Sequence, residues 1–164
     1  MIAVVATVAA CSEAPAPIPR PTAGPSTAAP AAACPPPGVV ITAGDGDAAA
    51  GYRELSLTVK NCGTTDYTLQ GRPEIVVLDD KRQPLEVKIG ASIHYTASPR
   101  RITLKPGQGT TAVLSWHGTV TTGEVQNGAA LEVAPVKGAP KQLVTLPVTM
   151  DLGTTGKLDT SAWL

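Results

Sequence analysis

Residues 52–61, YRELSLTVKN, alternate along their length. Leu55, Leu57 and Val59 fall on one side of an extended chain, and Glu54, Ser56, Thr58 and Lys60 on the other. That period of two predicts a strand with one wet face. The run EIVVLDD at 74–80 is β-branched and ends in a turn over Asp79-Asp80-Lys81-Arg82. The chain then returns through Pro84, Leu85, Val87 and Ile89, which predicts a hairpin. Ile102 and Leu104 alternate with polar neighbours and precede Pro106-Gly107, the residue order of a type II turn. TTAVLSWHG puts Ala112, Leu114 and Trp116 on one face. LEV at 131–133 and LVTLPVTM at 143–150 predict two further strands, with Val144, Leu146, Val148 and Met150 sharing a face. A last short strand is expected near Lys157 to Leu164.

No segment has the 3.6-residue apolar period of an amphipathic helix. Eight or so short strands separated by Gly/Pro turns predict an all-β fold, an antiparallel two-sheet β-sandwich (immunoglobulin-like). A barrel is the alternative. The domain spans residues 34–164, and at that size it buries roughly two thirds of its unfolded surface. Phe is absent, so its core rests on Val, Leu, Ile and Ala with Trp116 and Trp163.

The first 33 residues break this pattern. Residues 2–10, IAVVATVAA, are apolar, and a nine-residue helix spans about 14 Å, half of a bilayer's hydrocarbon core. The run has the length of a signal-peptide core. Val8-Ala9-Ala10-Cys11 resembles a lipobox, where bacterial lipoprotein signal peptidase cuts before a cysteine that carries diacylglycerol on its sulfur. Residues 1–10 are then the C-terminal part of a lipoprotein signal peptide, and Cys11 is the lipidation site. No Lys or Arg precedes the run, as expected if the natural start lies upstream. The alternative is ordinary signal cleavage, which leaves Cys11 a free thiol on a secreted protein. Residues 11–33 then form a Pro/Ala-rich disordered linker, too poor in large apolar groups to offset the entropy of ordering it. Its prolines favour extended polyproline II, with a reach of up to about 70 Å. The expected location is the outer face of the cytoplasmic membrane, with the membrane itself a partner through the lipid.

The chain has three cysteines, and Cys34 and Cys62 remain. Outside the cytoplasm such thiols pair, and a bridge would close a loop of 28 positions. A redox pair favours closer spacing, such as CxxC. A zinc site needs further soft ligands, and the chain's histidines are His94 and His117. The structural disulfide is the expected reading.

Other candidate chemistry is thin. Net charge is zero, with 13 basic and 13 acidic residues, and no basic stripe points to nucleic acid. GDGD at 44–47 resembles the start of a calcium loop but lacks its distal glutamate, and a turn between two strands is expected. Asp79-Asp80 reads as a solvated turn, and Arg100-Arg101 as a surface pair. Ser115 has no nucleophile-elbow context, and His117 should face outward. No catalytic residue, cofactor or metal ligand is assigned.

Several stretches together resemble an actinobacterial family of exported proteins, many of them lipoproteins, the domain of unknown function numbered 4232. The resemblance covers roughly residues 34–164. It rests on Cys34, on Gly51-Tyr52-Arg53, and on Leu57-Thr58-Val59-Lys60-Asn61-Cys62-Gly63. Tyr67-Thr68-Leu69-Gln70-Gly71-Arg72-Pro73, Val77-Leu78-Asp79, Leu104-Lys105-Pro106-Gly107 and Asp151-Leu152-Gly153-Thr154-Thr155-Gly156 complete it. The resemblance implies a β-sandwich, an exported address and pairing of Cys34 with Cys62. Many members carry the second cysteine nearer Tyr67 and a further cysteine pair, which this chain lacks. It implies no catalytic residues.

The expected function is therefore a tethered, non-catalytic sandwich that presents a binding surface to an envelope protein or glycan. A small-molecule or lipid carrier is the alternative, which a cavity above about 300 Å³ between the sheets would favour. Clustered polar groups with shifted pKa values would favour an enzyme.

Overall fold

The computed structural model describes residues 34–164. The readings placed on the signal peptide at 1–10, on Cys11 and on the linker at 11–33 lie outside the described residues. Ten strands run in order: β1 (Val39–Ala49), β2 (Tyr52–Asn61), β3 (Tyr67–Gln70), β4 (Glu74–Leu78), β5 (Lys88–Ala91), β6 (Arg101–Leu104), β7 (Gly109–His117), β8 (Asn127–Ala134), β9 (Gln142–Asp151) and β10 (Lys157–Thr160). No helix occurs among the described residues.

One layer is a five-stranded sheet in the order β1-β2-β7-β10-β5. Opposite it lie a three-stranded sheet, β4-β8-β9, and a two-stranded pair, β3-β6. Pairing is antiparallel throughout except between β10 and β5, which run parallel from Lys157↔Lys88 to Thr160↔Ala91. The fold is the all-β sandwich that the alternation predicts, with that one parallel edge added.

The core is built from the inward positions of each strand. Leu55, Leu57 and Val59 of β2 share one buried cluster with Leu131 and Val133 of β8, and all are at most 1% exposed. Burying each such side chain contributes about 1.5–3 kcal/mol. Leu114, Met150 and Leu158 fill the remaining space. Trp163 seals the C-terminal end, donating its indole N–H to the Pro135 carbonyl at 2.7 Å.

Three expectations need correction. GDGD at 44–47 is not a turn but part of β1, where the register with β2 slips between Ala43 and Gly46. One extra residue on β1 is accommodated there as a β-bulge. The turn lies later, at Ala50-Gly51, whose φ angles of 48° and 84° suit the two-residue hairpin that joins Ala49 to Tyr52.

The hairpin expected after β4 is only one bridge long, Leu78↔Pro84. Asp79 Oδ1 accepts from Lys81 N at 2.9 Å and Gln83 N at 2.7 Å, which closes the turn. The chain then crosses to the other layer, because β5 pairs with β10.

Val148 does not share the buried face of β9; it is 50% exposed. Pro147 has no N–H to donate to a ladder. The β8–β9 register jumps here, from Ala130↔Thr145 to Gly128↔Met150, and the phase of the strand changes. The Pro106-Gly107 turn is as predicted, with Gly107 at φ 82° and Gln108 N bonded to Lys105 O at 2.9 Å.

Candidate functional site

The disulfide is the first site the fold assembles. β1 runs antiparallel to β2 from Val39↔Asn61, which brings the start of the domain beside the end of β2. Cys34 and Cys62 are bridged, with Cα atoms 5.5 Å apart. Cys62 N and Gly63 N both donate to the Gly38 carbonyl, at 3.1 and 3.0 Å. Asn61, 1% exposed, donates to the carbonyls of Thr65 and Leu104 at 2.8 Å each and accepts from Gly63 N at 2.9 Å. The Asn-Cys-Gly stretch is thus a structural knot.

A second cluster lies on the outer face of the five-stranded sheet. Outward positions of β2 place Tyr52 and Glu54 there, and β7 adds Ser115 and His117 through the pairs Tyr52↔His117 and Glu54↔Ser115. β10 adds Asp159, opposite Ser115. Ser92 follows β5, and its hydroxyl accepts from His94 N at 3.2 Å and Tyr95 N at 3.1 Å. This bend folds His94 and Tyr95 back across the sheet.

Both histidines and two of the three tyrosines consequently meet around Tyr52. The Tyr52 ring meets His94 edge-on at 5.0 Å and His117 at 5.3 Å. Glu54 accepts one hydroxyl on each oxygen, from Tyr52 at 2.6 Å and from Tyr95 at 3.0 Å. Ser115, though on the wet side of its strand, is only 3% exposed, because the cluster covers it.

The environment tilts the titration of these groups. Burial, then the Glu54 carboxylate, hold the Tyr52 phenol above its ordinary pKa. For Tyr95 the hydrogen bond to Glu54 is the first cause of a shift in the same direction, and burial adds to it. Both phenols are thereby fixed as donors.

Beside Tyr52 opens a cleft of about 210 Å³, lined on its polar side by Ser115, His117, Lys157 and Asp159. Lys157 Nζ pairs with Asp159 Oδ2 at 3.1 Å. Asp159 Oδ1 is buried against Gly90 of β5 and has no hydrogen-bond partner among the described residues. Ile93, 70% exposed, forms an apolar rim. The cleft therefore offers aromatic and imidazole rings, an apolar wall and an ammonium. Such a mixture suits a small polar ligand with C–H faces.

The other motifs take plain structural roles. His117 faces outward as expected and becomes one wall of the cluster, while Arg100 and Arg101 are exposed at the start of β6. Asp47 uses a carboxylate oxygen on Ala48 N at 2.7 Å. Among the described residues, no three His, Cys, Asp or Glu side chains gather as a metal site requires. At the mouth of the sandwich, Arg53 pairs with Asp151 at 3.1 Å, and Asp151 also accepts from the Trp116 indole at 3.1 Å. A cleft of about 320 Å³ lies there, between β1–β2 and β9.

The architecture defines an all-β sandwich domain with a disulfide at its entry and a ring-and-acid cluster on one face. The chain belongs to the family described as Domain of unknown function (DUF4232), whose model matches residues 34–164. No curated protein matches the chain, and no solved structure does.

Proposed function

We propose that this chain is a membrane-anchored extracytoplasmic lipoprotein whose sandwich binds, without catalysis, a glycan of the cell envelope through the Tyr52 face. The observation that carries the reading is the gathering of Tyr52, Tyr95, His94 and His117 around Glu54 in a chain otherwise poor in aromatics. Sugar rings stack their C–H faces on aromatic ring faces and present hydroxyls to carboxylates, imidazoles and serine.

The anchor part rests on Val8-Ala9-Ala10-Cys11 and the proline-rich stretch after it. Expressed from its natural start, the protein should enter the detergent phase of Triton X-114, and Cys11→Ser should move it to the aqueous phase. The binding part is tested by co-sedimentation with insoluble envelope polysaccharide. Tyr52→Ala should weaken retention about tenfold, the loss expected for a central aromatic anchor. Equal retention of variant and parent would sink the assignment of this face.

The carrier remains a second reading. The interior between the sheets is filled by Leu55, Leu57, Leu114, Leu131 and Leu158, so its place would be the 320 Å³ mouth beside Trp116.

A further inference from the structure

A third cleft lies away from both of these, where the β3–β4 connection meets β5 and the β8–β9 loop. It measures about 420 Å³ and is lined by Arg72, Pro73, Glu74, Ile75, Ile89 and Lys137. Three features set it apart from an ordinary surface groove. Arg72 is only partly exposed, and its Nε is buried with no hydrogen-bond partner among the described residues. That Nε is closed to solvent, so an incoming group would meet the guanidinium at its terminal nitrogens instead. The wall is apolar, formed by Pro73, Ile75 and Ile89, and Ile89 is 41% exposed although it is a large aliphatic side chain. The second cation, Lys137, stands exposed on the β8–β9 loop, and that loop is held in place by Gly138 N donating to Glu74 Oε2 at 3.2 Å.

The carboxylate in the cleft, Glu74 at the start of β4, accepts from the β8–β9 loop through Gly138 N, and the two cations beside it lack an ion pair among the described residues. The cleft falls in the size range of small-molecule sites, apolar in its walls with a few polar groups that fix orientation. A guanidinium paired with an ammonium selects an oxyanion, the guanidinium by its planar fork and the ammonium as a point charge.

The geometry points to a binding site for an amphipathic anion, a single phosphate or carboxylate on a short aliphatic body. The head would be held by Arg72 and Lys137, and the body would lie along Ile75 and Ile89. This inference is independent of the Tyr52 face.

The test is an amide NMR titration of the full chain with octyl phosphate below its micelle concentration. Octanol, inorganic phosphate and phosphatidylglycerol vesicles serve as separate arms. The inference expects saturable shifts at Arg72, Ile75, Ile89 and Lys137 with octyl phosphate, and at least tenfold weaker binding to octanol and to phosphate. Arg72→Gln should weaken octyl phosphate at least tenfold, and Lys137→Gln about threefold. Should Arg72→Gln fail to fold, the exposed Lys137→Gln decides. Octanol binding as well as octyl phosphate would remove the anion, phosphate alone binding as well would remove the apolar wall, and binding to vesicles alone would remove the monomer. Absence of any saturable shift, or unchanged affinity in the folded variants, would overturn the site.

Discussion

Tyr52 and Glu54 stand two positions apart on β2, on its outer face, and the phenol donates to the carboxylate at 2.6 Å. Tyr95, 41 positions further along the chain, reaches the other oxygen of the same carboxylate at 3.0 Å. One glutamate therefore ties the loop after β5 to β2, two strands beyond β10 in the five-stranded sheet.

Glu54→Gln should lower the ionisation pKa of both tyrosines, read as tyrosinate absorbance at alkaline pH. The fall should be larger for Tyr95, whose shift has Glu54 as its first cause, than for Tyr52, whose first cause is burial. A phenol raised in the folded state gives stability that is complete below its unfolded pKa of about 10 and lost as pH climbs through the folded value. Resistance to denaturant should accordingly decline above about pH 10, and less steeply in Glu54→Gln. An unchanged tyrosinate curve would show that the shared carboxylate does not control these phenols.

Reducing the Cys34–Cys62 bridge should lower stability without abolishing the fold. The closed loop of 28 positions corresponds to about 3–4 kcal/mol of unfolded-state entropy. The domain should survive because the bonds from Cys62 N and Gly63 N to Gly38 O, and the full β1–β2 ladder, do not depend on sulfur. Denaturant melts with and without reductant check this. A double Cys34→Ser, Cys62→Ser variant that never folds would mean that the ladder is too weak to hold the N-terminal strand.

Gly153→Ala should be far more damaging than Gly51→Ala. Both glycines have positive φ, 58° and 84°. A Cβ on Gly51 meets nothing within 4 Å, so the cost there is backbone strain of about 1 kcal/mol. A Cβ on Gly153 would fall 2.1 Å from the Thr119 carbonyl oxygen, and that carbonyl also accepts from Thr154 N at 3.0 Å. The loop must then move, at a cost of about 3 kcal/mol or more. Equal melting points for the two variants would contradict this packing.

Gln142→Ala should open the outer edge of β1. The Gln142 amide donates to Val39 O at 2.7 Å and accepts from Ile41 N at 3.1 Å, taking the place of a neighbouring strand. Removing it leaves these two backbone groups without their partner and costs about 1–3 kcal/mol. Hydrogen exchange at the Ile41 amide should accelerate well beyond that of amides inside the β1–β2 ladder. Parallel acceleration of all β1 amides would point to global loosening instead.

Strands such as β2 and β7 were legible because their apolar residues alternate, and Leu55, Leu57, Val59, Ala112, Leu114 and Trp116 are all buried. GDGD misled because Gly and Asp are turn formers, whereas here the glycines serve a bulge; a Cβ at Gly44 would sit 2.4 Å from the Ser56 hydroxyl. Val148 misled because the phase of β9 changes beside Pro147, and no local pattern records a register jump set by the partner strand. The Tyr52 cluster was hidden because its members come from four parts of the chain. A usable signal did exist: Tyr52 and His117 occupy wet positions on two strongly alternating strands, where rings are out of place unless they meet a partner. The Arg72 cleft had no such signal, since Gly71-Arg72-Pro73 reads only as a connection.

The central claim is that the Tyr52 face recognises an envelope glycan. Amide NMR of the chain titrated with soluble envelope polysaccharide fragments tests it most directly. The account predicts saturable shifts centred on Tyr52, His94, Ser115, His117 and Asp159, lost in His117→Ala and Tyr52→Ala while the rest of the spectrum stays folded. Saturable shifts confined to other faces of the sandwich, or fragments that bind both variants as tightly as the parent, would contradict it.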